Sequence, residues 1–334
     1  MSAPPPFPSR PRVGLVGFGA FGRLIARHLA PHAGLTVHDP YLPAATLAAR
    51  LAADAGPHAV AADLAAAADC PLVILATPVA SLAEAVRGLA PHLRPGTLVV
   101  DVGLVKTGPA AILQAGLPVD VEILATHPLF GPQSAGDGAD GIRGLKIAVC
   151  SLRGRRPLRA AAFLRRGLGL DVILTTPEAH DRAMASVQGL THLIAKVLVA
   201  MEPLPTRMTT RSFDLLMQAV GMVRHDAPEV FHAIERANPH AAAVRQRFFA
   251  LARRLDAELS AEAGFSAEPV RAGPDRLASW KRPARRRTVS GLVPGGPRGC
   301  REDQAISTCA PAGPGRRRRG RPTGSGSRPT RRRR

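Results

Sequence analysis

Short apolar runs rich in β-branched residues alternate with Ala- and Leu-rich stretches over the first 150 residues. Strands that alternate with helices at this spacing are typical of βαβ units around a parallel sheet. Residues 1–150 are therefore predicted to form an α/β domain of the Rossmann type. The predicted strands are Arg12–Val16, Leu35–His38, Leu72–Ala76, Thr97–Val102, Val121–Ala125 and Lys146–Cys150.

The pattern becomes helical over residues 151–265, with one further predicted strand at Asp171–Thr175. The clearest helix runs from Pro177 to Ala200, where apolar side chains recur at helical spacing. We predict that this second region is an all-helical C-terminal domain.

Beyond residue 265 the apolar periodicity ends, and Gly, Pro, Ser and Arg dominate. Residues 271–334 hold 19 Lys/Arg and 3 Asp/Glu, so this tail carries most of the net charge of +20. Such a segment buries too little apolar surface to offset its ordering entropy, and residues 266–334 are predicted to be disordered. Nucleic acid is not an expected partner, because Trp280 is the tail's one aromatic residue for base stacking.

The composition of the 334-residue chain fits a two-domain globular protein whose core is filled by Ala, Leu and Val, because aromatic residues make up only 4%. No apolar run reaches the about 18 residues of a membrane span, and Met1–Arg12 is proline-rich without a secretory apolar region. The four cysteines show neither a paired disulfide framework nor metal-ligand spacing: Cys70, Cys150, Cys300 and Cys309. We therefore expect a protein of the reducing cytoplasm with no metal site.

A G-x-G-x-x-G motif joins the first predicted strand to a helix. In this context the glycines allow a tight turn and close approach of a pyrophosphate to the helix N-terminus. Asp39 ends the second strand, where a carboxylate accepts hydrogen bonds from ribose hydroxyls and repels a 2′-phosphate, so NAD is favoured over NADP. The predicted cofactor-binding residues are Gly17, Phe18, Gly19, Ala20, Phe21, Gly22, Asp39 and Thr77.

Two of the candidate residues follow the carboxyl ends of predicted strands, where ligands of open α/β sheets bind. Thr77 either lines the cofactor crevice or caps a helix. His127 is predicted on a loop stiffened by Pro128 and Pro132. A neutral imidazole there is available as a general base, although a solvated loop histidine is the alternative.

On the long predicted helix, Asp181, Gln188 and His192 fall within about 40° of each other at 100° per residue. A polar stripe on a helix this apolar faces either a ligand cleft or solvent, and we favour the cleft.

Three separated motifs resemble those of the prephenate and arogenate dehydrogenases of tyrosine biosynthesis, and the likeness runs from about Arg12 to about Ala257. Thr126–Pro132 resembles the family's T-H-P-M-F-G-P segment. Residues 178–192 look like its first long C-terminal helix, and Asp101–Lys106 is similar to its D-x-x-S-V-K segment.

This resemblance implies NAD(P)-dependent oxidative decarboxylation of a cyclohexadienol, with His127 as the base that accepts the proton of the C4 hydroxyl. It implies that His192 and Gln188 hold the substrate, and that the protein forms a homodimer through the helical domain.

It also implies that Gln133 and Ser134 contact substrate or cofactor. Asp137 is a candidate partner for the α-ammonium group that arogenate has and prephenate lacks, which favours arogenate.

Two departures from the family pattern affect these expectations. Leu104 stands where the family motif has a serine, so a hydroxyl near the nicotinamide is missing. The prephenate-type members of the family also use an arginine on a later helix for a substrate carboxylate, and neither Arg211 nor Arg224 can be assigned to this role.

Two alternative functions stay open. A β-hydroxyacid dehydrogenase would use a lysine of the helical domain, and Lys196 is the lysine of the long helix; it would release no carbon dioxide. A non-catalytic NAD-binding relic would bind NAD without turning over either cyclohexadienol.

Overall fold

The computed structural model of the protein describes residues 10–136 and 141–263. An eight-stranded sheet forms the centre of the N-terminal part, with strands β1 (Arg12–Val16), β2 (Gly34–His38), β3 (Ala59–Ala61), β4 (Leu72–Leu75), β5 (Leu98–Asp101), β6 (Glu122–Pro128), β7 (Lys146–Arg153) and β8 (Asp171–Leu174).

In the sheet the strands lie in the order β3-β2-β1-β4-β5-β6-β7-β8. Strands β1 to β6 pair in parallel, β7 pairs antiparallel to β6, and β8 is parallel to β7. The predicted Rossmann-type domain followed by helices is confirmed, with one antiparallel pair inside an otherwise parallel sheet. The helices are α1 (Ala20–Leu29), α2 (Ala44–Ala55), α3 (Leu64–Ala68), α4 (Leu82–Leu89), α5 (Thr107–Gly116), α6 (Arg156–Arg166), α7 (Pro177–Met184), α8 (Leu190–Ala200), α9 (Arg211–Val223), α10 (Pro228–His232) and α11 (Ala241–Ala263).

The core lies on both faces of the sheet, because helices cover it on either side. Strand residues such as Leu15, Val37 and Ile123 are completely buried. Phe18 is a fully buried aromatic side chain among them, so Ala, Val and Leu supply most of the packing, as the composition predicts. Truncating one of these Leu or Ile side chains to Ala costs about 2–5 kcal/mol of stability.

The sheet is larger than the sequence pattern indicates. Strand β3 was not predicted, because its three residues, Ala-Val-Ala, are too few to show a periodicity. The predicted boundary between the two domains is at residue 150, but the sheet continues beyond it. After β7 the chain passes through α6 and returns as β8, which pairs with β7 at this edge of the sheet.

The long helix predicted from Pro177 to Ala200 is continuous but not regular. Helices α7 and α8 are joined by a π-helical turn, Ala185–Gly189. The segment is long and apolar enough to cross a membrane by length and composition alone, which is weak evidence for a membrane span. Its His180 and Asp181 are buried and hydrogen-bonded to each other.

The C-terminal tail, for which the sequence predicts disorder, lies outside the described residues.

Candidate active site

The glycine motif forms a tight turn between β1 and α1. Gly17 has φ of +98°, and a Cβ there would lie 2.6 Å from the carbonyl oxygen of Ala76. A Cβ on Gly22 would lie 2.2 Å from the carbonyl oxygen of Gly17, so strand, turn and helix pack without room for side chains. A Cβ on Gly19 would meet nothing within 4 Å. The turn is therefore closed toward the sheet and open in front of α1.

The N-terminus of α1 has its amide groups available to an anion. Gly19 is the N-cap residue and supplies no side-chain hydrogen bond, so the first N–H groups and the positive end of the helix dipole face the open side of the turn. This arrangement fits a pyrophosphate group.

Asp39 lies beside the same turn. Its Oδ2 accepts a hydrogen bond of 2.7 Å from the Phe18 amide, and its Oδ1 accepts one of 2.9 Å from the Tyr41 amide. Each carboxylate oxygen has a second lone pair, so Asp39 can fix the loop and still accept from ribose hydroxyls.

Thr77 directly follows β4 at the same edge of the sheet. Its Oγ1 is buried and has no hydrogen-bond partner among the described residues. A helix-capping role would give the hydroxyl a backbone partner, and the following helical turn, Val79–Ser81, has no side-chain cap. Because buried hydroxyl groups are nearly always hydrogen-bonded, this orphan donor fits a bound ligand.

His127 lies within a strand, and the prediction of a loop position was wrong. Strand β6 continues to Pro128 because β7 pairs with it antiparallel, with Ala148 opposite His127. The His127 residue is only 1% exposed. The alternative of a solvated loop histidine is therefore excluded.

Three side chains form a hydrogen-bonded row, which we call the His–His–Asp triad (His127, His180, Asp181). His127 Nδ1 lies 2.8 Å from His180 Nε2, and His180 Nδ1 lies 2.8 Å from Asp181 Oδ1. Asp181 also accepts the backbone N–H groups of Lys106 and Thr107, each at 2.8 Å. The N-terminus of α5 thus holds the carboxylate in place.

The triad fixes the tautomer of both imidazoles. The Asp181 carboxylate can only accept, so His180 donates from Nδ1 and presents a lone pair at Nε2. His127 then donates to it from Nδ1, which leaves the lone pair of His127 at Nε2. His127 Nε2 is therefore a hydrogen-bond acceptor, as a general base requires.

The surroundings keep this base neutral. Burial lowers the pKa of His127 well below its ordinary value of 6.5, and the positive charge of Lys106 and the neighbouring His180 lower it further, against the opposing effect of Asp181. Burial alone would raise the pKa of Asp181, but hydrogen bonds from His180, Thr107 and Lys106 outweigh it, so that pKa is lowered. Asp181 thus stays ionised and His127 uncharged near neutral pH.

Lys106 is completely buried between the sheet and α5. Its ammonium group pairs with the carboxylate of Asp101 and donates to the carbonyl oxygen of Thr126 at 2.7 Å. Two of its three N–H donors thus have partners, and the ammonium group lies close enough to His127 to lower the pKa of the imidazole.

Two of the predicted substrate-binding residues lie next to the triad. Gln188 Nε2 is 3.4 Å from His127 Nε2. His192 Nδ1 is 3.0 Å from the Gln188 carbonyl oxygen, and its Nε2 is 3.2 Å from Asp226 Oδ2. The structure thus aligns His127, Gln188, His192 and Asp226 along one edge of α8.

Other predicted residues are not brought to this place. Ser134 bonds within its own loop to Gly131, and Gln133 is exposed. Asp137 lies outside the described residues. Arg211 is exposed.

The structure also gives the surroundings of Arg224, the second arginine candidate, and of Leu104, which stands in place of the family's serine. Arg224 pairs with Glu202 through two contacts of 3.0 Å, and Leu104 is half-buried just after β5.

The sequence patterns predict neither His180 nor Asp226 as a site residue, and they do not predict that Asp181 contacts His180. Adjacent helical residues do not normally face each other, so nothing predicted a bond between His180 and Asp181. A π-helical turn, Ala185–Gly189, also lies between Asp181 and Gln188, so the 100° per residue assumed for the stripe does not hold over this interval. The one available signal for His180 was its place in the motif that resembles the known family.

The thiols of the described region take no part in this site. Cys70 and Cys150 are buried and unpaired, and burial raises the pKa of Cys150 to about 11. No group of three His, Cys, Asp or Glu within residues 10–136 and 141–263 is arranged to hold a metal ion.

Two models of known protein domains match this chain. Residues 43–141 match the family model for the nucleotide-binding domain of prephenate dehydrogenase, and residues 176–265 match that for its dimerization domain.

Arogenate dehydrogenase 2 of Arabidopsis thaliana is 29% identical over 239 residues, which are 69% of this chain and 64% of that protein. A probable arogenate/prephenate dehydrogenase of Methanocaldococcus jannaschii is 27% identical over 53% of this chain. The matches cover 64% of the Arabidopsis protein and 41% of the archaeal protein. The chain therefore spans less than two thirds of either relative.

Among solved structures, prephenate dehydrogenase of A. aeolicus in complex with hydroxyphenyl propionate and NAD+ superposes with a TM-score of 0.61 at 20% identity, covering 77% of this chain and 93% of that one. This likeness shows the shared fold. The two family models together match more than half of the chain, and the chain therefore belongs to the prephenate/arogenate dehydrogenase family.

Proposed function

We propose that the protein catalyses oxidative decarboxylation of arogenate or prephenate with a nicotinamide cofactor, and that His127 is the general base. The observation that carries this proposal is the His–His–Asp triad, which presents a neutral, acceptor-type Nε2 beside Gln188.

The chemistry follows from that nitrogen. His127 Nε2 takes the proton of the C4 hydroxyl while C4 is oxidised to the level of a carbonyl. The bond from C1 to its carboxylate then breaks, carbon dioxide leaves, and the electron pair completes an aromatic ring, whose C4 oxygen takes the proton back from His127. Arogenate gives tyrosine, and prephenate gives 4-hydroxyphenylpyruvate. A proton transfer of this kind contributes about 10²–10⁴-fold to the rate.

The other members of the triad assist without touching the substrate. As His127 gains a proton it becomes a cation in a buried place, where a charge is costly unless it is paired. The Asp181 carboxylate, acting through His180, offsets that charge. Gln188, whose amide lies at the base, is placed to orient the reacting hydroxyl.

The turn Gly17–Gly22, Asp39 and Thr77 would hold the nicotinamide cofactor, which supplies the hydride acceptor when bound. The closed glycine turn, the uncapped N-terminus of α1 and the orphan hydroxyl of Thr77 support this placement. NAD is favoured over NADP, because the Asp39 carboxylate repels a 2′-phosphate.

The helical part is proposed to form a homodimer. Its sequence matches a dimerization domain. It also exposes many large apolar side chains, which is unusual for the surface of a monomeric protein. Those exposed by at least half include Val187, Met201, Leu215, Met222, Leu251, Leu255 and Leu259. A cytoplasmic location is proposed on the composition alone.

The test is NADH formation by the purified full-length protein with arogenate and with prephenate, each offered with NAD and with NADP. Turnover of either substrate supports the proposal. Measurable NAD binding without turnover of either would overturn it in favour of a non-catalytic NAD-binding protein, and turnover of a hydroxyacid without carbon dioxide release would favour a β-hydroxyacid dehydrogenase.

A further inference from the structure

A second group of polar side chains lies beyond Gln188, on α8 and just after α9. His192 and Lys196 follow Gln188 at intervals of four residues, so all three share one face of the helix. Asp226, just after α9, contacts His192 at 3.2 Å. Lys196 Nζ lies 5.1 Å from the ring centroid of Phe231. We call His192, Lys196 and Asp226 the distal polar cluster.

The distal polar cluster combines an imidazole, an ammonium group and a carboxylate. His192 places one ring nitrogen on the Gln188 carbonyl oxygen and the other on Asp226. Both ring nitrogens thus already contact oxygen atoms of the protein, which fixes the position of the ring. Partial burial lowers the pKa of Lys196 and the Asp226 carboxylate opposes this effect, which places these two charges close together.

The position of the cluster matches the length of the proposed substrate. The C4 hydroxyl belongs at His127 Nε2, beside Gln188. His192 lies four residues after Gln188, which corresponds to a distance of about 6 Å along the helix axis. A cyclohexadiene ring that lies along this face therefore brings C1, with its carboxylate and its side chain, to the distal polar cluster.

The cluster is also open to a ligand. The Asp226 side chain is 31% exposed, whereas that of His192 is 9% exposed. The carboxylate thus has capacity for a further donor on its open side.

We propose that Asp226 is a specificity-determining residue that binds the α-ammonium group of an amino-acid substrate, while the ammonium group of Lys196 attracts its side-chain carboxylate. This inference rests on the proposed function and selects arogenate within it. A carboxylate with a cation nearby matches the ammonium and carboxylate groups that an amino acid carries on one carbon. A keto acid would instead set a carbonyl oxygen against the Asp226 carboxylate, and two acceptors repel each other.

Binding of the two products tests this inference separately from turnover, because L-tyrosine and 4-hydroxyphenylpyruvate differ only at the α-carbon. Calorimetry with the full-length protein and NAD should show that wild type prefers L-tyrosine. In Asp226→Asn, affinity for L-tyrosine should fall by about 10- to 100-fold, the effect of a lost charge-assisted hydrogen bond. Affinity for the keto acid should stay or rise.

The control is Asp256→Asn, which removes the same charge from an exposed position on α11 and should change neither affinity. A purely structural role of Asp226 through His192 would weaken both ligands equally. An equal loss for both ligands, no loss, or a wild type that does not prefer L-tyrosine would each overturn the inference. Failure of the proposed function would show instead as absence of turnover.

Discussion

Replacing His180 tests the His–His–Asp triad most sharply, because His180 contacts the base and is not placed at the substrate. In His180→Leu, His127 Nδ1 loses its buried acceptor at 2.8 Å. Leaving a buried donor unpaired costs about 1–3 kcal/mol, and this free energy shifts His127 toward the tautomer that carries its proton on Nε2. Since about 1.4 kcal/mol is a tenfold change, kcat should fall by about 10- to 100-fold.

The variant should keep its fold and its affinity for substrate. Asp181 still accepts the amides of Lys106 and Thr107, so its carboxylate is not left unpaired. KM should therefore change little while kcat falls, the signature of an interaction that matters in the transition state.

The matched variant is His180→Gln, whose amide oxygen can accept the His127 Nδ1–H and restore the tautomer without the link to Asp181. Its kcat should recover most of the loss. The assay is steady-state NADH formation by both variants, with thermal unfolding as the check on folding. A His180→Leu enzyme with wild-type kcat, or a Gln variant as slow as the Leu variant, would refute the tautomer argument.

Three further predictions concern the base, the cofactor and the departure from the family motif. The pKa of His127 is lowered well below 6.5, so the base stays neutral as the pH falls through that value. We therefore expect kcat/KM to decline only at lower pH. A midpoint at or above 6.5 in the pH profile would contradict this. For the same reason the unfolded state gains a proton on His127 below about pH 6.5 that the folded state does not bind, so this residue lowers the stability measured by denaturant titration as the pH falls. Asp39→Ser should shift the NADP-to-NAD ratio of kcat/KM upward by about 10- to 100-fold, while any loosening of the loop at Phe18 and Tyr41 would affect both cofactors alike and leave the ratio unchanged. Leu104→Ser should raise kcat by up to about 10-fold if a hydroxyl near the nicotinamide aids the reaction, and a variant that only loses thermal stability would show that Leu104 is a packing residue.

The sequence predicts the parts of this protein that depend on local periodicity and turn chemistry. The strand before Gly17, the glycine turn and Asp39 follow each other within one βαβ unit, so their meeting is dictated by neighbouring segments. The long helix from Pro177 to Ala200 likewise shows its apolar period over six turns.

The triad could not be predicted in this way, because its members come from β6 and α7, 53 residues apart. His180 meets His127 only because β7 extends β6 and because α7 packs against α5. A π-helical turn then sets the direction of Gln188. Such distant contacts leave no periodic trace, and the resemblance to a known family is what drew attention to these residues.

The contact between Asp226 and His192 could not be predicted from local sequence either. Asp226 follows α9 in a polar stretch, Arg224-His225-Asp226, where a solvated carboxylate is the ordinary expectation. Its contact with His192 depends on how α9 packs on α8. Tertiary packing, and not local sequence, thus makes it a candidate for substrate recognition.

The central claim is that His127 is the base in an oxidative decarboxylation, and one comparison tests it most directly. NADH and carbon dioxide should be measured together for wild type and His127→Ala with saturating arogenate and NAD, alongside NAD binding by both proteins. We predict equal amounts of NADH and carbon dioxide from wild type, and a His127→Ala protein that binds NAD normally while its kcat is lower by about 10²–10⁴-fold. A His127→Ala protein that retains wild-type kcat would contradict the account.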